Sequence, residues 1–253
     1  MIRLLKAIFI VVPKLIFWYF QWILIYYIRR NKIPFEKKYN KIRSCVLTVL
    51  KDLNIELLED GIENVKYKEN KSNFYVCNHQ SLLDPLFLVL LLKRPLSFVS
   101  KKEASHYPFI GKAVKLLECK FLDRNDLKQQ VKVILDVKKS LNEKQRDWCI
   151  YPEGRRNKNP FSGLLEYHHG SFKLLNENTD MYVFTLFGTF RPLQFFKYPN
   201  KKLVVQLCYT NFHSYDELKD LTSTKISEIV SSESLITYNK LKEKDKEIYN
   251  LNS

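Results

Sequence analysis

From residue 72 onward, short apolar runs alternate along the chain with segments of helical spacing. The apolar runs cover residues 74–77, 96–99, 119–122, 148–151, 181–187 and 203–208, and the helical segments between them cover 85–93, 107–117, 127–141 and 168–176. Strands that alternate with helices in this way are typical of an α/β domain. We therefore predict a sheet, mostly parallel or mixed, that is flanked by helices.

Polar or charged residues follow each of the first four apolar runs directly. These residues are His79, Lys101, Lys102, Asp123, Arg124 and the stretch 153–156. Ligands of α/β sheets bind beyond the carboxyl ends of the strands, where this pattern puts all of these side chains. The sequence therefore predicts one shared site at that edge of the sheet.

His79 and Asp84 stand five positions apart, between the first apolar run and the helical segment that starts at Pro85. Asp followed by Pro is a common helix start, and His79 could be an ordinary loop histidine. The alternative is a His–Asp dyad, in which the carboxylate holds the tautomer of a neutral imidazole and makes it a better base. Such a base can deprotonate a substrate alcohol, so no serine or cysteine nucleophile is required. The two interpretations are compatible.

Metal and redox chemistry have little support in this sequence. There is no H-E-x-x-H pattern, and the adjacent His168 and His169 would point in different directions from a helix. The five cysteines are too far apart for a C-x-x-C pair. We predict no metal site, and reduced, buried thiols in a cytosolic compartment.

The chain is strongly basic, with 42 Lys and Arg against 27 Asp and Glu and a net charge of +15. Such a charge attracts nucleic acid, anionic lipid or an acidic carrier protein, and composition alone does not choose among them. We find no recognised nucleic-acid-binding motif and therefore expect no nucleic-acid partner.

The N-terminal segment 7–28 is apolar and aromatic, and basic residues flank it on both sides. It is long enough to span a bilayer, which takes ~20 apolar residues, but Pro13, Lys14 and Gln21 interrupt it. Its aromatic residues suit the headgroup level. A secretory signal peptide is the competing interpretation, but no small-residue cleavage site follows. Whether this helix spans the membrane or lies in its surface stays open.

A second helix is predicted from an apolar stripe over residues 42–53, which would face either the membrane or the domain core. We predict that residues 1–53 are two membrane-anchoring helices and that 54–253 form the catalytic domain. The charged C-terminal part, from about residue 216, is expected to be a solvated outer helix of that domain.

Four ordered blocks carry a resemblance to a known family. Residues 78–84 resemble the N-H-x-x-x-x-D block of the glycerolipid acyltransferases, especially the 1-acyl-sn-glycerol-3-phosphate (lysophosphatidate) acyltransferases. Residues 121–124 are similar to the F-I-D-R block, and residues 151–157 to F-P-E-G-T-R-S. Lys101, Pro108 and Gly111 match a K…P…G stretch, and residues 61–65 resemble the G-x-E-N-L lead-in. The resemblance covers roughly residues 55–190.

The resemblance implies transfer of a fatty acyl group from a thioester to the sn-2 hydroxyl of lysophosphatidate, which yields phosphatidate. His79 would be the general base and Asp84 its orienting partner. The substrate-binding residues would be Arg124, Glu153, Gly154, Arg156 and Lys101. Both arginines suit a phosphate, and Glu153 would hold either the glycerol hydroxyls or the arginines.

The same resemblance implies acyl-CoA or acyl-acyl carrier protein as cosubstrate, no cofactor, and a membrane location with the catalytic domain on the cytoplasmic side. Glycerol 3-phosphate or another lysophospholipid is the alternative acceptor.

The sequence departs from the family pattern at three places. Arg155 replaces the usual threonine of the third block, His168 and His169 stand where lysines are usual, and residues 181–185 lack the usual proline. Outside this enzyme class, a membrane-bound scaffold with a degenerate site is the remaining alternative.

Overall fold

The computed structural model describes residues 6–68, 70–92, 94–107, 110–123, 125–198 and 202–250. Two residues of the motifs above, Pro108 and Arg124, lie outside the described residues.

A seven-stranded mixed sheet forms the centre of the described part of the chain. Its strands are β1 Ile55–Asp60, β2 Ser72–Cys77, β3 Leu96–Lys101, β4 Lys120–Leu122, β5 Asp147–Ile150, β6 Thr179–Phe187 and β7 Leu203–His213. They lie in the order β1-β7-β6-β2-β5-β3-β4, and all neighbours are parallel except β6 and β7. The predicted mixed α/β sheet is thus confirmed, and β1 is a strand that the apolar pattern did not predict.

Helices cover both faces of this sheet. They are α1 Ala7–Ile28, α2 Phe35–Asp52, α3 Asp84–Leu91, α4 Ile110–Leu116, α5 Leu127–Asn142, α6 Tyr215–Leu218 and α7 Ser223–Tyr249. The helix predicted over 168–176 is wrong, because this segment holds only a 3-10 turn at His169–Leu174. Phe172 and Leu174 are both buried in one cluster, and residues two apart do not share a face of an α-helix.

The strand β2 shows how the two layers are built. Its side chains alternate, so that Tyr75 and Cys77 pack on one side of the sheet and Phe74 and Val76 on the other. The first side is covered by α2, α3 and the end of α1, and the second by α5 and α7. Every residue of β2 is buried, so the loop that follows it starts from the rigid centre of the domain.

The stripe on α2 lies against the core of the domain. Tyr39 and Ile42 are buried in the first cluster, and Cys45, Val46 and Leu50 pack against it. The sequence left open whether this stripe faces the membrane or the domain core, and in the structure it packs against the core. Four of the five cysteines are buried, Cys45 is half-buried, and all five are free thiols.

The C-terminal helix α7 corrects the expectation of a solvated outer helix. One face of it is buried along its whole length, at residues Ile226, Ser227, Val230, Ser234, Tyr238, Leu241, Asp245 and Tyr249. Asp245 forms a buried ion pair with Arg191, which lies after β6. The many charges of this segment suggested solvation, but apart from Asp245 they lie off the buried face of the helix.

The helix α1 presents most of its apolar surface outward. It has a mean hydropathy of 1.9 and is long and apolar enough to cross a membrane, a test that a signal sequence also passes. Trp22 and Ile23 are buried against the domain, whereas Phe9, Phe17 and Phe20 are 59–70% exposed. An apolar face of this size on a surface helix marks an interaction site.

Candidate active site

A hydrogen bond joins His79, in the loop between β2 and α3, to Asp84, the first residue of α3. His79 Nδ1 lies 2.7 Å from Asp84 Oδ2, which also accepts from the backbone N–H groups of Gln80 at 2.7 Å and Ser81 at 2.9 Å. The Asp84 side chain is fully buried, and that of His79 is 19% exposed. Because a carboxylate accepts at Nδ1, the neutral ring carries its proton there and leaves Nε2 as the basic atom.

Tyr151 fixes the plane of the His79 ring. The two rings are stacked, with centroids 4.3 Å apart and an interplanar angle of 21°, and Phe98 lies parallel beyond Tyr151. The Tyr151 hydroxyl is buried and has no hydrogen-bond partner among the described residues. Sequence reasoning missed this contact, because an aromatic residue at the end of a buried strand looks like ordinary core.

Glu153 joins the loop after β5 to the loop that carries His79. Its Oε1 accepts the backbone N–H of His79 at 3.0 Å, while the carbonyl of His79 accepts the N–H of Asn157 at 2.7 Å. The loop after β5 therefore holds both the backbone N–H and the backbone carbonyl of His79 by hydrogen bonds. Asn157 is a second residue that the sequence did not single out, although it ends the third family block.

The carboxyl group of Glu153 lies in a low-dielectric environment. The residue is only 1% exposed, and its Oε2 has no partner in the described part of the chain. The pKa of Glu153 is raised to about 8, chiefly by burial and in part by the charge of Asp84, while the backbone N–H groups of His79 and Leu165 and the charge of Arg155 oppose the rise. At neutral pH this carboxyl group is therefore mostly protonated and can donate a hydrogen bond.

Gly154 occupies a position that disfavours other residues. Its φ is +61°, and a Cβ atom there would lie 3.0 Å from Cδ2 of His168. The His168 backbone N–H in turn donates to the carbonyl of Pro152 at 2.9 Å, which holds this ring beside the turn. The turn after Glu153 therefore requires a glycine, because a side chain at this position would be strained and would press against the His168 ring.

The predicted cations lie along the neighbouring strand ends. Arg155 and Arg156 are exposed in the loop after β5, and Lys101 is the last residue of β3, opposite Leu122 of β4. Lys102 and Asp123, the next residues on these two strands, pair at 2.8 Å. Because β5 lies between β2 and β3, the loop of Glu153 and Arg156 lies between His79 and Lys101.

The sequence-predicted site is therefore partly assembled in the described residues. His79, Asp84 and Glu153 form one hydrogen-bonded group, with Gly154 and Arg156 in the same loop as Glu153 and Lys101 one strand away. The catalytic and binding roles of all these residues stay predictions. Among the described residues, no group of three or more His, Cys, Asp or Glu side chains is arranged to hold a metal ion.

Comparison with known proteins gives a family match and a fold match. The acyltransferase family model matches residues 59–187, which is half of the chain. A Mycoplasma pneumoniae protein named "Probable 1-acyl-sn-glycerol-3-phosphate acyltransferase" is 29% identical over 145 residues, covering 55% of this chain and 50% of that protein. The 1-acyl-sn-glycerol-3-phosphate acyltransferase of Helicobacter pylori is 26% identical over 171 residues, covering 63% and 70%. The matched region thus spans about half the length of the Mycoplasma relative.

The fold also matches a solved structure over nearly the whole chain. The 1-acyl-sn-glycerophosphate acyltransferase of Thermotoga maritima superposes with a TM-score of 0.71 and covers 95% of both chains, at 18% sequence identity. The two chains therefore share the fold, including the segments outside the family match.

Proposed function

The chain belongs to the acyltransferase family, and from that premise we propose that it moves a fatty acyl group from a thioester to the sn-2 hydroxyl of lysophosphatidate. The product would be phosphatidate, and the reaction would be a step of phospholipid biosynthesis. The observation that carries the proposal is the 2.7 Å contact of His79 with Asp84 in a loop that buries the carboxylate and leaves the imidazole partly exposed.

The chemistry needs one base and no enzyme nucleophile. His79 Nε2 takes the proton of the acceptor hydroxyl as its oxygen attacks the thioester carbonyl carbon. The tetrahedral intermediate then collapses, the carbon–sulfur bond breaks, and the departing thiolate takes the proton from Nε2. Asp84 keeps the ring in the tautomer that exposes Nε2, and its charge stabilises the imidazolium that forms between the two steps.

The phosphate of the acceptor would be bound by the cations at the neighbouring strand ends. Arg156 and Arg124 suit this role, because a guanidinium can bind a phosphate through two hydrogen bonds, and Lys101 adds a third positive charge. Both Arg155 and Arg156 are exposed to solvent in the loop after β5. A protonated Glu153 would donate to an oxygen of the glycerol backbone from its unpaired Oε2.

Membrane association would be carried by α1 and the basic groove beside it. The groove has a volume of about 400 Å³ and is lined by four residues of α1 and by residues 105–107, Lys112 and Lys115. The Lys112 ammonium group lies 4.8 Å from the ring centroid of Tyr19, and the Lys115 ammonium group 5.8 Å from that of Tyr27. Cations beside an exposed apolar helix match the negative surface of a bilayer. Arg29, Arg30 and Lys32 follow α1 directly, which favours the cytoplasmic side for the catalytic domain.

The test of this function is an acyl-transfer assay on purified protein in detergent. Acceptors would be lysophosphatidate, glycerol 3-phosphate and lysophosphatidylcholine, each with acyl-CoA and with acyl-acyl carrier protein as donor. We expect the highest kcat/KM with lysophosphatidate. A preference for glycerol 3-phosphate or for another lysophospholipid would move the enzyme to the alternative acceptor class, and no transfer with any pair would refute the proposed reaction.

A further inference from the structure

Tyr238 of the C-terminal helix reaches the loop that carries the candidate base. Its hydroxyl lies 2.8 Å from Nε2 of Gln80, the residue next to His79, and 2.5 Å from the carbonyl oxygen of Pro160. Tyr238 is fully buried and lies outside the part of the chain that the family model matches. The family blocks therefore assign Tyr238 no role in the proposed reaction.

The polar atoms of this network fit together in a single arrangement. The backbone N–H of Gly188 is a donor and lies 3.0 Å from Gln80 Oε1, so the amide group of Gln80 must turn its NH₂ toward Tyr238. The Tyr238 oxygen therefore accepts from Gln80, and its own proton goes to the carbonyl of Pro160. Donor and acceptor are thus fixed in every hydrogen bond of this group. Removal of the Tyr238 hydroxyl leaves the Gln80 NH₂ group and the Pro160 carbonyl, both buried, without a partner.

Gln80 also connects this network to the catalytic pair. Its backbone N–H donates to Asp84 Oδ2 at 2.7 Å, the same oxygen that holds His79 Nδ1. Pro160 belongs to the loop after β5, whose Asn157 donates to the His79 carbonyl and whose Glu153 accepts the His79 N–H. Tyr238 therefore lies behind both loops that meet at His79 and restrains one through Gln80 and the other through Pro160.

We propose that Tyr238 is a positioning residue for the His79–Asp84 pair and that it acts through Gln80. This inference rests on the proposed function, because it assigns Tyr238 to the same reaction. Loss of the hydroxyl removes the partner of the Gln80 NH₂ group, so that Gly188 holds this side chain only through its oxygen, and it loosens the position of the Gln80 backbone N–H against Asp84. Misplacement of a base by a fraction of an ångström slows the chemical step more than it weakens substrate binding.

The same helix supplies a matched control. Tyr249 is also buried, and its hydroxyl likewise makes two hydrogen bonds, accepting from the N–H of Val204 at 3.0 Å and donating to the carbonyl of Lys202 at 2.6 Å. Those partners lie at the start of β7, whose residues make no hydrogen bond to the His79 or Glu153 loops among the bonds described. Tyr238→Phe and Tyr249→Phe therefore remove equivalent groups from one helix, one of them behind the site and the other away from it.

The experiment compares kcat, KM and the melting temperature of the wild type, Tyr238→Phe and Tyr249→Phe. We expect Tyr238→Phe to lower kcat about tenfold with KM within about twofold, and Tyr249→Phe to keep wild-type kcat, with a comparable fall in melting temperature for both. Gln80→Met should lower kcat similarly, and adding Tyr238→Phe to it should cause little further loss, because the two residues act in series. Equal kcat losses in the two tyrosine variants, or multiplied losses in the double variant, would overturn the proposal.

A second readout does not depend on turnover. The protein has five histidines, so ¹⁵N-histidine labelling resolves the ring nitrogens of His79, which a His79→Gln sample identifies. Tyr238→Phe should shift the His79 ring signals and Tyr249→Phe should leave them in place. Unshifted signals in Tyr238→Phe would refute the positioning role even if the wild type transferred no acyl group, an outcome that would separately refute the proposed function.

Discussion

The backbone N–H of His79 donates to the carboxyl group of Glu153 at 3.0 Å, which joins the loop after β2 to the loop after β5. These loops are 74 residues apart in the chain and lie side by side because β2 and β5 are neighbouring parallel strands. A change at Glu153 therefore acts on the position of His79 as well as on any substrate oxygen that Glu153 contacts.

His79→Gln should lower kcat by ~10²–10⁴, the usual effect of losing a general base. His213 provides the control, because its Nε2 also pairs with a carboxylate, Glu233, at 2.9 Å, but at the end of β7. We expect His213→Gln to keep near wild-type turnover. Near wild-type turnover in His79→Gln instead would exclude the base role.

Tyr151→Phe should leave kcat unchanged and raise the free energy of unfolding by ~1 kcal/mol, because it removes a buried hydroxyl without a partner. Tyr151→Leu should lower kcat, because it removes the flat ring that stacks on His79 at 4.3 Å. Urea unfolding and initial rates of both variants test this pair of outcomes. A loss of activity in the phenylalanine variant would show that the hydroxyl, and not the ring, is needed.

The raised pKa of Glu153 predicts a pH-dependent stability. Between its ordinary value of 4.5 and about 8, the folded state keeps a proton on Glu153 that the unfolded state has released, so stability falls as the pH rises through this window. The slope is at most about 1.4 kcal/mol per pH unit. The free energy of unfolding of the wild type minus that of Glu153→Gln should therefore decrease with rising pH. A difference that stays constant would show that Glu153 is ionised in the folded protein.

Arg156→Gln should lower kcat/KM for lysophosphatidate about tenfold or more, since a charge-assisted hydrogen bond contributes ~1.5–3 kcal/mol. The loss for lysophosphatidylcholine should be smaller, because its phosphodiester carries one negative charge and the phosphate monoester carries close to two. Arg124→Gln should behave alike, and Lys158→Gln, which removes an exposed cation from the same loop, serves as control. Equal losses on both acceptors would exclude phosphate binding by these arginines.

Replacing Phe9, Phe17 and Phe20 together by serine should weaken binding to lipid vesicles about a hundredfold or more, because each exposed ring contributes ~1 kcal/mol or more on burial. The control is the triple serine variant of Leu127, Val131 and Leu135, which are 50–74% exposed on α5. Co-sedimentation with phosphatidylcholine vesicles measures both. If the two triple variants sediment alike, α1 is not the part that contacts the membrane.

Lys112→Gln combined with Lys115→Gln tests the groove separately. This variant should bind vesicles with anionic lipid more weakly than the wild type, by ~1 kcal/mol per lysine, and bind neutral vesicles equally. Lys138→Gln with Lys139→Gln on α5 removes the same charge elsewhere, and an equal loss there would assign the effect to net charge.

Sequence patterns display local contacts most directly. The pairing of His79 with Asp84 spans five residues, and the turn is built from short-range preferences that a sequence displays directly. β1 was missed because Ile55–Asp60 carries three acidic residues and becomes a strand only by pairing with β7, far along the chain. The strand's apolar residues gain burial from that partner, which no local pattern reveals.

Contacts between distant parts of the chain cannot be predicted from local sequence patterns, because they form only when the whole domain has folded. Gln80 and Tyr238 are 158 positions apart, and only the packing of α7 on the sheet brings them together. The charged appearance of α7 also misled, since an amphipathic helix with buried Tyr238 and Asp245 has a composition much like that of a solvated one. Its spacing of buried residues, every three or four positions, is the signal that would have indicated a packed helix.

The position of Tyr238 on α7 has a consequence for the order of events during synthesis. A chain leaves the ribosome from its N-terminus, so the apolar α1 emerges long before α7. Until α7 docks, Gln80 lacks its hydroxyl partner and the two loops around His79 lack their common support. On this arrangement the nascent protein can meet a bilayer through α1 while the loops around His79 are still unsupported, and the proposed acyl transfer would start only after α7 has been made and has docked.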